Sequence, residues 1–272
     1  MEHGIIAGRY HLLELVGEGS FGQVYRANDP LFHCDIAVKV EYDHDNIPSS
    51  QLENESNIYR ELKYSSGFPI VYGFGRADGM SYLAMDLLGP SLATLFHICG
   101  RRFSLKTTCN VGLQVVDRLE ALHAKGYVHR DVKPENLVIG DEQNMDTIYL
   151  VDLGLLTSYR DPYSGEHISE FHDDDDYLMG TPLYYSVNRH YGIPHTRRDD
   201  LISLLYLMLY LKRGSLPWQG RTSQVMASMK VKAKIIQLCK GFPASFSVFA
   251  EYVTHLQFDS RPNYAHIRKL LR

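Results

Sequence analysis

The run His129-Arg130-Asp131-Val132-Lys133-Pro134-Glu135-Asn136, followed twenty-one residues after Asp131 by Asp152-Leu153-Gly154, gathers most of the side chains in this sequence that could do chemistry together. Asp131 could accept a proton from a hydroxyl. Asn136 and Asp152 could hold Mg²⁺ through hard oxygens, and Lys133 could steady a transferring phosphoryl group. This division of labour suits phosphoryl transfer, where a protein mainly positions a nucleophile and neutralises charge. A mixed acidic and basic loop after a helix is ordinarily a solvated turn, so the weight rests on the joint pattern.

Two further segments could serve the same reaction. Gly17-Glu18-Gly19-Ser20-Phe21-Gly22-Gln23-Val24 lies between an apolar run, Leu12 to Val16, and a strand-like run, Gln23 to Ala27. Glycines let backbone amides approach phosphate oxygens, although a glycine-rich hairpin is also a common turn. A helix after the glycines would suggest a dinucleotide-binding oxidoreductase, but Val24-Tyr25-Arg26 is strand-like, which sets that alternative aside. In Ile36-Ala37-Val38-Lys39-Val40, strand alternation puts Ile36, Val38 and Val40 on one face and Ala37 with Lys39 on the other. An inward lysine needs a counter-charge. Glu55 supplies one, because it falls on the apolar stripe that Leu52, Ile58, Tyr59 and Leu62 draw on the next helix.

The elements that must position these residues change character along the chain. Up to about Leu83, short runs rich in Val, Tyr and Ile alternate with Gly or Asp turns, with one helix from about Ser49 to Leu62. Beyond Leu88 the spacing is helical around Leu92–Ile98, Leu105–His123, Leu201–Lys212, Gln224–Leu238, Phe246–Leu256 and Tyr264–Leu271. An α+β chain follows, with a small strand-rich lobe joined to a larger helical lobe. The net charge of −4, with 12 acidic against 6 basic residues up to Met85, gives no electrostatic reason to bind nucleic acid or an anionic membrane. Met1 to Tyr10 does not read as a secretory signal, and Leu201–Leu211 is too short to span a bilayer. Four scattered cysteines suit neither a disulfide framework nor a zinc site, so a reducing, intracellular setting is expected.

Taken together, these motifs resemble the eukaryotic protein kinases from Tyr10 to Leu271, in the right order, and among them the casein kinase I family. The family resemblance rests on Leu87-Leu88-Gly89-Pro90-Ser91-Leu92, Ser186-Val187-Asn188, Arg197-Arg198-Asp199-Asp200 and Gly214-Ser215-Leu216-Pro217-Trp218-Gln219-Gly220. It implies a bilobal kinase fold in one domain over residues 1–272, with an N-lobe to about 85, a hinge at 86–89 and a C-lobe from 90. It implies a serine/threonine protein kinase that uses ATP and Mg²⁺. Gly17 to Gly22 would cover the ATP phosphates, Lys39 would meet the α- and β-phosphates, and Glu55 would pair with Lys39. Asp131 would be the base, with Lys133 beside the γ-phosphate, and Asn136 and Asp152 would be the metal ligands. Adenine would lie between Val16, Val24 and Ala37 on one side and Val138 on the other, with Met85 behind and the backbone of Asp86 to Leu88 as polar contacts. Asp200 would brace the catalytic loop. The other expectations are ATP and protein substrates as partners, no nucleic acid, no membrane insertion, a monomer, and a cytoplasmic location with a nuclear one as second choice.

Departures from the family pattern bear on substrate choice. Leu153 replaces the usual phenylalanine, about two extra residues fall around Asn46 to Ser50, and Leu205 stands where glycine is usual. Asp173-Asp174-Asp175-Asp176 and Leu183 occupy a segment where relatives place basic residues. The basic stretch after Gly220 thins to Arg221, Lys230, Lys232 and Lys234. This reversed field predicts basic or neutral target sites over phosphate-primed ones. A catalytically weak scaffold of the same fold is the alternative, and the joint presence of Lys39, Asp131, Asn136 and Asp152 argues against it.

Overall fold

Alternating β-branched and aromatic residues give the first part of the chain its sheet. The computed structural model describes residues 4–19, 22–42, 50–161, 163–170 and 179–272. Ser20, Phe21, the inserted residues 46–49 and the aspartates 173–176 lie outside them. Contacts divide the chain into two units, Met1–Gly89 with Ile139–Gly154, and Pro90–Val138 with Leu155–Arg272.

The first unit holds strands β1 (Ile5–Ile6), β2 (Tyr10–Gly19), β3 (Gly22–Asp29), β4 (Cys34–Tyr42), β5 (Val71–Ala77) and β6 (Met80–Asp86). They form one antiparallel sheet in the order β1-β2-β3-β4-β6-β5. Ile36, Val38 and Val40 are buried and share a cluster with Ile6, Tyr10, Ala27 and Ala84. Ala37 and Lys39, on the other face of β4, are buried as well. Helix α1 (Ser50–Leu62) packs on β5 and β6 with Leu52, Tyr59 and Leu62 inside, and Glu55 is buried among them at 1% exposure. Ile139–Gly154 joins this unit through the Leu150 amide, which donates to Gly67 O at 2.9 Å.

The second unit is helical: α2 (Leu92–Ile98), α3 (Leu105–Ala124), α4 (Val187–His190), α5 (Arg197–Arg213), α6 (Ser223–Lys232), α7 (Ile235–Leu238), α8 (Ala244–Thr254) and α9 (Tyr264–Leu271). Ser91 and Ser104 cap α2 and α3 by accepting from the amides of Thr94 and Thr107. Helix α5 is buried almost all round, Leu205 included, and packs on α3 and α8, while α3 and α8 both pack on α9. It starts at Arg197 rather than Leu201, because Asp199 turns back to accept from the Thr196 amide at 2.9 Å and so opens the helix one turn earlier. The single helix expected over Gln224–Leu238 is two, broken at Ala233, whose ψ is 124°. Its apolar residues do not make one stripe: Val225, Val231 and Ile236 are exposed, whereas Lys230 is buried.

Candidate active site

In the first unit, the buried face of β4 and the inner stripe of α1 bring two opposite charges into contact. Lys39 Nζ donates to Glu55 Oε2 at 2.7 Å and to Asp152 Oδ1 at 3.2 Å, with Glu41 Oε1 3.9 Å away. Burial alone would push the lysine pKa down, but the carboxylates of Glu55 and Asp152 outweigh it and hold the ammonium above its ordinary value. The second oxygen of Glu55 accepts from the Leu153 amide at 3.1 Å, and Gln51 donates to Gly154 O. Helix α1 therefore fixes the Asp152-Leu153-Gly154 segment as well as the lysine. Leu153, in place of phenylalanine, is buried at 3% exposure, as an apolar packing role requires.

The glycine-rich segment takes in the end of β2 and the start of β3, with Gly17 opposite Val24, Glu18 opposite Gln23 and Gly19 opposite Gly22. Gly22 has φ 139°, and a Cβ there would come within 2.3 Å of Val40 O, so the strand pair itself demands a residue without a side chain. Ala37 and Met85 are cross-strand partners, Val24 pairs with Lys39, and Val16 is half exposed. Asp86 is largely engaged in its own unit. Its amide donates to Ile70 O, and its carboxylate accepts from the Ile70 amide and the Tyr72 hydroxyl.

In the second unit the candidate residues gather around Asp131, which is 6% exposed. Lys133 Nζ lies 2.5 Å from Asp131 Oδ2, and the Thr181 hydroxyl donates to Oδ1 at 2.7 Å. Asn136 Nδ2 donates to the Asp131 carbonyl at 3.0 Å, and more weakly to Oδ2. Beneath them Asp200, fully buried, accepts from the amides of His129 (2.8 Å) and Arg130 (3.0 Å) and from the imidazoles of His123 and His195. Arg130 has φ 72° and Asp152 has φ 61°, left-handed conformations uncommon for such residues. Asp200 supplies the hydrogen bond that holds Arg130 there. Burial would raise the Asp200 pKa, but His195 and His123 outweigh it and keep the carboxyl well below its ordinary value. Burial also pushes His123 down, so it is neutral, donating from Nε2 to Asp200 and accepting from the Tyr264 hydroxyl at Nδ1.

The sequence-predicted residues thus fall into two assembled sets: Lys39, Glu55 and Asp152 with the glycine-rich segment in one unit, and Asp131, Lys133 and Asn136 in the other. Val138 belongs to the second unit, where it bridges Ser91. Sequence reasoning missed Thr181, His123, His195 and Tyr264. Thr181 is fifty residues from its partner Asp131 and no local pattern marks it. The donor chemistry fits Mg²⁺: Asn136 donates through its nitrogen to Asp131 and also carries an amide oxygen, and Asp152 offers a carboxylate whose side chain is 36% exposed, each a hard oxygen of the kind the ion takes.

A protein kinase domain model matches residues 10–269, nearly the whole chain. The chain belongs to the protein kinase domain family. Its general activity is that of a protein kinase, and such domains use ATP and Mg²⁺.

Proposed function

We propose that the chain is a serine/threonine protein kinase of casein kinase I type that binds ATP, a single kinase domain over residues 1–272 with an N-lobe to about 85, a hinge at 86–89 and a C-lobe from 90. The observation that carries this reading is Asp131 held jointly by Lys133, Asn136 and Thr181. Lys133, two residues after the base, resembles the serine/threonine kinases. In this reading Asp131 accepts the proton of a Ser or Thr hydroxyl as the hydroxyl oxygen attacks the γ-phosphorus of ATP in line, and ADP leaves without a covalent enzyme intermediate. Lys133 offsets charge on the transferring group, and Lys39 meets the α- and β-phosphates. Asn136 and Asp152 are the residues that would hold Mg²⁺, which when bound neutralises phosphate charge.

The scaffold alternative is disfavoured because such scaffolds usually lack at least one of Lys39, Asp131, Asn136 and Asp152, whereas all four are present here and, within each unit, hydrogen-bonded to one another. For substrates, basic or neutral sites are proposed over phosphate-primed ones. Leu183 has no guanidinium to offer, and Lys230 is buried rather than displayed. The enzyme is further proposed to act as a monomer, in the cytoplasm with the nucleus as second site, without binding nucleic acid. No helix among the described residues is long and apolar enough to cross a membrane.

The test is an ADP-release assay with Mg²⁺ and ATP on casein, a phosphate-primed peptide and a basic peptide, with Asp152→Ala as the blank. Turnover led by the basic peptide supports the full reading. Preference for the primed peptide removes the substrate proposal and keeps the kinase, and no turnover on any of them returns the weight to a scaffold.

A further inference from the structure

Lys230 reads in the sequence as one member of a thinned surface basic stretch. In the structure it is 4% exposed, and its three ammonium protons meet three acceptors: Pro182 O at 2.7 Å, Tyr185 O at 2.8 Å and His190 Nε2 at 3.1 Å. None of the three is charged. The ammonium also lies 5.2 Å from the ring centre of Tyr206 and 5.3 Å from that of Trp218. The fully buried Trp218 donates its indole N–H to the carbonyl between those two, Leu183 O, at 2.9 Å. Three of the four carbonyls from Pro182 to Tyr185 are therefore held by side chains of other segments. Immediately before them Thr181 touches Asp131, and immediately after them Ser186 donates to Asp199.

A buried ammonium is costly, and an apolar side chain of similar length would fill the space at lower cost. Its retention here is explained by what it holds. We infer that Lys230 is a positioning residue for the protein substrate: with Trp218 it clamps the Pro182–Tyr185 turn beside Asp131, and so sets the backbone against which the target hydroxyl is presented. Burial pushes His190 down to about 4, which leaves it neutral and able to accept, and pushes Lys230 down to about 7, so the lysine carries all three protons below about pH 7. With all three protons engaged internally, Lys230 has none to give a phosphate on a primed substrate. The clamp itself stands on geometry; what the turn does rests on the kinase reading.

Two measurements on Lys230→Met, Lys230→Arg and Trp218→Phe test the inference. The first is hydrogen exchange at the Tyr184 amide, which in the folded protein donates to Thr181 O at 3.0 Å. It should quicken by about tenfold in Lys230→Met, the loss of one or two net hydrogen bonds, while amides inside α3 keep their rates. The second is steady-state kinetics. The KM for peptide should rise about tenfold in Lys230→Met, with kcat changed less than about threefold and the KM for ATP unchanged, and Lys230→Arg should recover most of the loss. Wild-type exchange at Tyr184 in Lys230→Met overturns the clamp. A fall in kcat alone, or an arginine variant no better than methionine, overturns the positioning role. If Lys230→Met does not fold, Trp218→Phe decides, since it removes the Leu183 bond while keeping an aromatic ring beside the ammonium and should raise the peptide KM a few-fold; an unchanged KM overturns the inference. Absence of turnover in the wild-type protein would defeat the kinase reading, and the exchange measurement would still decide the clamp.

Discussion

Asp131 carries more partners on one carboxylate than any surface acid needs: an ammonium on one oxygen and a hydroxyl on the other, with the Asn136 amide bound to its backbone. Such crowding fixes the side-chain rotamer before substrate arrives, which is where a positioned base gains its advantage. Asp131→Asn should lower turnover by about 10² to 10⁴, with ATP affinity changed less than twofold, checked by ADP release and by titration with a fluorescent ATP analogue. Retained turnover would show that another group takes the proton. Lys39 makes the opposite kind of case, since Glu55 at 1% exposure has lost its water and depends on the lysine. Lys39→Met strands that buried carboxylate and should cost about 3 to 5 kcal/mol in urea unfolding. Lys39→Met combined with Glu55→Leu should recover part of the loss, because the stranded charge and not the missing bond carries most of it.

At the scale of elements, α5 determines where the loop that carries Asp131 sits. Its first turn presents Asp200 to the amides of His129 and Arg130, and its middle presents Met208 to α3 at Gly112. A Cβ on Gly112 would come within 2.5 Å of Met208 Cε, so this buried methionine must shift to admit it. Gly112→Ala should destabilise by about 1 to 3 kcal/mol in chemical unfolding, and Met208→Ala in the same chain should relieve the clash. Additive losses would mean the methionine has somewhere else to go. The acid response of the helical unit follows from its histidines. Burial pushes His123, His167 and His190 below the ordinary value of 6.5. On acidification the unfolded chain takes up protons at these positions before the folded one does, so stability should fall as pH drops from about 6.5 toward 4. Asp200, held low, contributes above the ordinary 3.8 and is lost only at still lower pH, so the upper window belongs to the imidazoles. Urea midpoints at pH 7.5, 6 and 5 should decline in that order, and a flat series would show imidazoles that charge freely in the fold.

The whole molecule raises the question of how activity is switched on. In the first unit Lys39, Glu55 and the Leu153 amide are already joined. In the second unit Thr181 already contacts Asp131, and Lys230 and Trp218 hold the turn that follows. Nothing in these bonds waits for an added phosphate. Phosphatase-treated protein should keep at least about half its turnover, measured by ADP release, in contrast to kinases ordered by activation-segment phosphorylation. Loss of activity on dephosphorylation, restored by a second kinase, would contradict this.

Most of the chemistry was legible in the sequence because it sits in short runs whose residue types and spacing are unusual together. Asp131, Lys133, Asn136 and Asp152 fall in such runs, and the strand and helix periods alone pointed Lys39 and Glu55 at each other. The helical spacings of α3 and α9 were equally plain, since one face of each is buried. What the sequence could not reveal are relations between residues distant along the chain. Thr181 reaches Asp131 across fifty residues, and Asp200 gathers His123 and His195 from separate segments. Lys230 looked like surface charge and instead turns inward to backbone carbonyls. A carbonyl carries no sequence signature, and a lysine's burial depends on what packs over it. Local pattern thus determined which residues are candidates for the chemistry, and only the tertiary structure decided which partners hold them in place.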